Sequence, residues 1–292
     1  MATLYIIGNG FDLWHGLPTS YNHFYDFAKV TLEEIENYYL LDLSHVNPWH
    51  DFENALGTFS WSEFYEAHNN LDVSDEDFRQ SFVYSLEDDL TEQADQHVES
   101  IKDCFQEWVS NIEISTIERK LDLPNGPIFI TFNYTSTLET TYGIENGKVL
   151  HIHGRAETYD DLIFGHGETM EEEPELDENG DSNRTMFSDA QSSAKYPFYV
   201  LQKPVDGLLD KLQTFLDLQD WFQEIIVIGH SLNKIDLPYF RILNEQSPDA
   251  IWKICLYSQK EQEHHIEALV NCGVSLNKIR TFGYQDLATL SN

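Results

Sequence analysis

The residues of this chain that could do chemistry gather at the ends of short apolar runs. Leu4-Tyr5-Ile6-Ile7 leads straight into Gly8-Asn9-Gly10. A glycine turn directly after a strand lets backbone approach a ligand closely, and it is where an α/β protein holds phosphates on amides and a helix N-terminus. The pattern continues only to Leu13, as G-x-G-x-x-Leu, without the third glycine of the dinucleotide fingerprint. We read Gly8, Asn9 and Gly10 as nucleotide contacts, with a side chain at Gly10 expected to intrude on the ligand's space. Asp12 would repel a diphosphate, so its carboxylate accepts from a ribose hydroxyl or orients the turn. In Gly16-Leu17-Pro18-Thr19-Ser20-Tyr21, Thr19 or Ser20 can cap a helix starting near Tyr21, and Ser20 is also placed on a loop closing over the same ligand.

Three later segments end on polar groups in the same way. The run 128–132 delivers Asn133 at its carboxyl end, the edge at which open α/β sheets bind ligands. In His151-Ile152-His153-Gly154, strand alternation puts both histidines on one face. His166 follows the next run, but no carboxylate stands at a ligand spacing, so no metal is expected; one histidine is assigned acid/base work and the other packing. Ile225 to Asn233 carries Gly229-His230-Ser231, with Asp236 shortly after, and resembles the G-x-S-x-G nucleophile elbow of α/β-hydrolases. Asn233 stands where that elbow needs its last glycine. A Ser-dependent esterase is therefore the alternative, and Asp236 is read as a ligand contact.

The elements that must position these groups alternate along the chain. Apolar runs at 3–7, 127–132, 148–152, 161–164, 224–229 and 251–257, with a weaker one at 278–283, have the length and bounds of strands buried on both faces. Amphipathic segments at 205–220, 236–246 and 259–271 lie between the later runs. This is the pattern of an α/β fold with a doubly wound, mostly parallel sheet, a single domain over 1–292. Between about Tyr21 and Leu121 there is no strand pattern. Phe78, Phe82, Leu86, Leu90, Ala94, Val98, Ile101, Phe105 and Trp108 recur at helical spacing, which makes 22–125 a helical insertion. The acid-rich stretch 167–195 reads as a solvated mobile loop.

Composition narrows the partners. Lys+Arg 17 against Asp+Glu 51 gives a net charge of -34, which repels nucleic-acid backbones and anionic lipid. A small-molecule nucleotide must then be held by local amides against the overall field. Three scattered cysteines form neither a disulfide framework nor a paired zinc site, and no run is long and apolar enough to span a membrane. A cytoplasmic location is expected.

Taken in order, Gly8-Asn9-Gly10-Phe11-Asp12 with Gly16-Leu17-Pro18-Thr19-Ser20-Tyr21, then Phe132-Asn133-Tyr134-Thr135, His151-Ile152-His153-Gly154 and Gly229-His230-Ser231-Leu232, resemble the bacteriophage abortive-infection AbiH family. Trp49, Phe52 and Glu53 look like its Trp-x-x-Phe-Glu element. The resemblance implies a divergent sirtuin-like, Rossmann-like fold that holds NAD, with NAD-cleaving roles on Asn133 and His153 and adenosine-side contacts on Gly229 and Ser231. It departs from sirtuins where their zinc-ribbon cysteines should stand, which puts protein deacylation in doubt. The expectation is an NAD glycohydrolase-like effector of phage defence, with Asn133 orienting a water or the ribose, His153 as general base, and Glu53 as a further ribose contact. The competing expectation is a nucleotide-sensing module without turnover. Either leaves room for a homo-oligomer or an activating partner protein.

Overall fold

The computed structural model describes residues 2–123, 126–158, 161–172 and 174–289. In chain order its elements are β1 (Thr3–Ile7), α1 (Asn9–His15), α2 (Tyr21–Ile35), α3 (Phe52–Leu56), α4 (Trp61–His68), α5 (Ser81–Ser110), β2 (Ile128–Thr131), α6 (Thr137–Tyr142), β3 (Val149–His151), α7 (Ser188–Val200), α8 (Val205–Leu216), β4 (Glu224–Ile228), α9 (Leu237–Gln246), β5 (Ile251–Leu256), α10 (Gln262–Asn271) and β6 (Ile279–Gly283). They fall into two compact units. One comprises Met1–Ser20, Val109–Ile163 and Pro204–Asn292, and the other Tyr21–Trp108 and Phe164–Lys203.

The first unit is the sheet. Six parallel strands stand in the order β3-β2-β1-β4-β5-β6, so the winding direction reverses between β1 and β4. Alternation along each strand feeds two cores. Leu4, Ile6, Ile130, Ile225, Val227 and Ile254 face the side covered by Leu208, Leu212 and Leu216 of α8 and by Tyr239, Phe240 and Leu243 of α9. Tyr5, Ile7, Phe129, Ile226 and Ile228 face Phe11 of α1 and Leu138 and Tyr142 of α6. Burial on both faces explains why these strands read as unbroken apolar runs. The opposite ends of the sheet strands therefore differ in kind: the C-terminal edge carries the loops that enter α1, α6 and α9, and it is where polar groups collect.

The second unit is helical with an aromatic core. Phe24 of α2, Phe52 of α3, Phe105 and Trp108 of α5, and Phe164 pack with ring centroids 4.4 to 5.9 Å apart. A second aromatic group closes on His97, whose ring is surrounded by Tyr38, Tyr39, Phe59 and Phe64. His97 Nε2 lies 2.7 Å from the Tyr39 hydroxyl. Burial pushes the His97 pKa down to about 4, with His68 adding to the effect.

Two expectations are corrected. Residues 161–164 are not a strand. Their apolar character has other causes: Ile163 packs against the sheet core and its amide donates to His153 O at 2.9 Å, while Phe164 belongs to the aromatic core of the helical unit. The stretch 167–195 is not loop throughout, because α7 begins at Ser188 and buries Ala190 and Ala194 on one face. Alanines four apart give a narrow face that the surrounding serines and acids mask in the sequence. No helix among the described residues is long and apolar enough to cross a membrane.

Candidate functional site

The end of β1 is bolted to the end of β4. Gly8 N donates to Ile228 O at 2.9 Å, and Gly10 N donates to Gly229 O at 2.8 Å. A Cβ on Gly8 would stand 2.6 Å from His230 Cα, one on Gly10 2.7 Å from Gly229 Cα, and one on Gly229 2.3 Å from Phe11 N. Gly229 also has φ +70°, in the left-handed region. These glycines are required by the meeting of two backbones. The expectation that Gly10 reserves room for a ligand is therefore corrected: the space its missing side chain leaves is filled by Gly229. Asn9 is likewise engaged, with Nδ2 donating to Thr19 O at 2.8 Å and tying the 16–20 loop to the turn.

Beside this junction, over the C-terminal ends of β1, β4, β5 and β6, opens a cleft of 580 Å³. Gly10 and Gly229 form part of its floor, and Ser231 and Asn233 enter from the loop after β4. Trp14, Tyr257 and Tyr284 make an aromatic wall, with Trp14 and Tyr284 centroids 5.3 Å apart. Glu261, His264 and His265 make a polar wall. The His265 ring spans the two sides, 3.0 Å from His230 O through Nε2 and 2.7 Å from Glu261 O through Nδ1. Cys255 also lines the cleft, but burial, with Asp286 and Glu261 nearby, pushes its thiol up to about 12, far from a working nucleophile.

The loop after β4 does not have an elbow's geometry. Ser231 is exposed, and the one positive φ among described non-glycine residues falls on the buried Leu232, at 55°. His230 Nδ1 accepts from Leu232 N at 2.9 Å, which puts the ring proton on Nε2, 3.5 Å from Asp236 Oδ2. Asp236, read as a ligand contact, is buried against His230 instead. Ser20 does not line the cleft, and Glu53 in the helical unit is held by Lys203, 3.1 Å away.

On the other flank of the β1–α1 turn, α1 meets the end of β2. Asp12 is buried, and its Oδ2 accepts from Thr135 Oγ1 at 2.5 Å, with Thr137 Oγ1 3.1 Å from Thr135 Oγ1. Desolvation raises the Asp12 pKa to about 6, against the lowering effect of Thr135, Thr137 and Asn133. Asp12 Oδ1 and both polar atoms of the Asn133 carboxamide are buried with no hydrogen-bond partner among the described residues. Nearby, Glu139 joins His151 Nε2 at 2.9 Å and Arg155 at 3.0 Å. Burial opposes ionisation of Glu139, but His151 and Arg155 outweigh it and hold its carboxyl below the usual value.

The two histidines of the 151–154 segment do not share a setting. The strand ends at His151, which turns to Glu139; His153 is buried among the rings of Phe132, Tyr134 and Tyr239. The structure thus brings Asp12 to Asn133, and Gly10 to Gly229 and Ser231. Sequence reasoning missed Thr135 and Thr137 around Asp12, and the aromatic wall. Thr135 stood in the quoted Asn133-Tyr134-Thr135, two residues past the site asparagine, whereas Tyr257 and Tyr284 carry no local signal. Among the described residues no group of three or more His, Cys, Asp or Glu side chains is placed to hold a metal ion.

Residues 4–256 match the family model described as Bacteriophage abortive infection AbiH. Neither a curated protein nor a solved structure matches the chain. The matched span runs from β1 through β5 and takes in both flanks of the glycine junction together with the helical unit. The chain belongs to the bacteriophage abortive-infection AbiH family.

Proposed function

We propose that this protein acts in phage abortive infection by binding NAD across the C-terminal edge of its sheet and cleaving the bond between nicotinamide and ribose. One observation carries the reading: two chemically different flanks adjoin a single glycine junction at the point where the strand order reverses. Open α/β sheets bind ligands at that point. The aromatic cleft beside β4, β5 and β6 suits an adenine ring and its ribose, with Ser231 as a rim contact. The Asp12–Asn133 flank suits the nicotinamide riboside. Cleavage passes through an oxocarbenium-like state, in which the C1′–N bond breaks, nicotinamide leaves neutral, and water adds at C1′ while losing a proton. In this reading Asn133 orients the ribose, and His153, walled by Phe132, Tyr134 and Tyr239, receives the proton as general base.

Incubation of the purified protein with NAD should release free nicotinamide. His153→Ala should lower the rate by about 10²- to 10⁴-fold while leaving most of the affinity, and Asn133→Ala should lower both the rate and the affinity. NAD binding without release would make the chain a nucleotide-sensing module, and no binding would end the proposal.

The aromatic wall gives a separate expectation. Tyr257 is 85% exposed, so its truncation removes little packing. Tyr257→Ala should leave the melting temperature unchanged and weaken NAD binding by about 1 to 2 kcal/mol, the scale of base–aromatic stacking. Ser231→Ala should weaken it by about 0.5 to 1.5 kcal/mol, and a fluorophosphonate probe should not label Ser231. Calorimetry and mass spectrometry read the two results.

A further inference from the structure

Asp12 and Asn133 reach one buried point from two elements, α1 and the end of β2, and both leave hydrogen-bonding capacity unused there. The carboxylate has one oxygen engaged by Thr135 and the other unpartnered. The carboxamide makes no hydrogen bond of good geometry, although its N–H stands close enough to act on the Asp12 carboxylate as a donor and favour its ionised form. Buried polar atoms of this kind cost free energy unless something completes them. An acceptor next to a donor has a natural complement: a hydroxyl, whose hydrogen goes to the carboxylate oxygen and whose oxygen receives the carboxamide N–H. A phosphate would be repelled here, and an apolar group would leave all three atoms unsatisfied.

We propose that Asp12 Oδ1 and Asn133 Nδ2 together grip one hydroxyl of a ribose, making Asp12 a specificity-determining residue for ribosyl ligands. The assignment rests on the nucleotide reading above and deepens it, since it names the group of the ligand that this flank recognises. Thr135 and Thr137 aim the carboxylate and are not themselves ligand contacts. Only the ionised carboxylate accepts on both oxygens, so the grip weakens as the pH falls through about 6. The groups facing Asp12 are Thr135, Thr137 and Asn133 beside it and the carboxylate of Glu157, which raises its pKa further.

The test is calorimetric titration of the full chain with ADP-ribose and with two analogues, lacking the 2-hydroxyl or the 3-hydroxyl of the distal ribose. The parent protein should bind one analogue about 10- to 100-fold more weakly than ADP-ribose, as expected for loss of a hydrogen bond to a charged group. Asp12→Asn should lose a similar factor for ADP-ribose and no longer distinguish that analogue. Its affinity should also become flat with pH where the parent's declines. Asn133→Ala supplies the second arm should Asp12→Asn fail to fold, and should likewise abolish the discrimination. If the parent binds ADP-ribose but treats all three ligands alike, or if both variants discriminate as the parent does, the point is filled by buried water and the proposal is overturned while the nucleotide reading stands. If the parent binds none of the three, the nucleotide reading itself is overturned.

Discussion

Gly229→Ala is expected to unfold the sheet unit, whereas Gly16→Ala should cost only about 1 to 2 kcal/mol. Both glycines have positive φ, +70° and +87°, so both substitutions incur the left-handed backbone penalty of about 1 to 2 kcal/mol. They differ in what a Cβ meets. At Gly16 nothing lies within 4 Å, but at Gly229 the new carbon would fall 2.3 Å from Phe11 N and 2.6 Å from Gly10 C. Those are backbone atoms at the start of α1, which cannot rotate aside. Relief requires parting β1 from β4, which breaks the Gly10 N to Gly229 O bond and opens the centre of the sheet. A loss beyond about 4 kcal/mol lies at the severe end for single substitutions and has a named cause here. Denaturant midpoints of the two variants decide the matter: equal, small shifts would mean that the strand ends separate easily.

The second large effect is a dependence of stability on pH with opposite signs at two buried groups. His97 has its folded pKa lowered from 6.5 to about 4 by burial. Between those values the unfolded chain binds the proton more readily, so the stability His97 contributes is present above pH 6.5 and is lost as the pH falls towards 4. The shift corresponds to about 3 kcal/mol. Asp12 has its folded pKa raised from 3.8 to about 6, chiefly by desolvation. Its contribution is present below 3.8 and is lost as the pH rises through 6, again about 3 kcal/mol. Chemical denaturation between pH 4 and 7 should show the helical unit weakening with acid in the parent protein. In His97→Gln, where the amide can still accept from Tyr39, that part of the slope should vanish. An unchanged slope would remove His97 as its cause.

Much of the sheet was legible because parallel strands covered on both faces are mostly apolar, and 3–7, 224–228 and 251–256 show this apart from Thr3, Glu224 and Lys253, of which the last two pair between β4 and β5. The run at 161–164 looked the same because periodicity cannot tell a strand from a short link whose apolar residues serve two cores, as Ile163 and Phe164 do. At the site, Gly8 and Gly10 stood out as glycines that permit a close approach, and Gly229 only as a ligand contact; a Cβ at any of the three would meet backbone. The reason was invisible, since it depends on β1 and β4 being neighbours, a contact between residues more than two hundred positions apart. The pairing of Asp12 with Thr135 is hidden in the same way. The histidines at 151 and 153 were assigned to one face because alternation was extended past His151, where the strand stops and the chain turns.

The ring of His265 gives the cleft a further property. Carried by α10, it lies 3.0 Å from the His230 carbonyl through Nε2, and the tautomer with its proton there donates to that carbonyl and fastens the loop after β4 to α10, joining floor and outer wall before any ligand arrives. A pocket preorganised in this way spends little binding energy on ordering its own walls. Association should then be fast and accompanied by little rearrangement of the sheet unit, and changes at His265 should slow or weaken binding by loosening the cleft without removing a ligand contact.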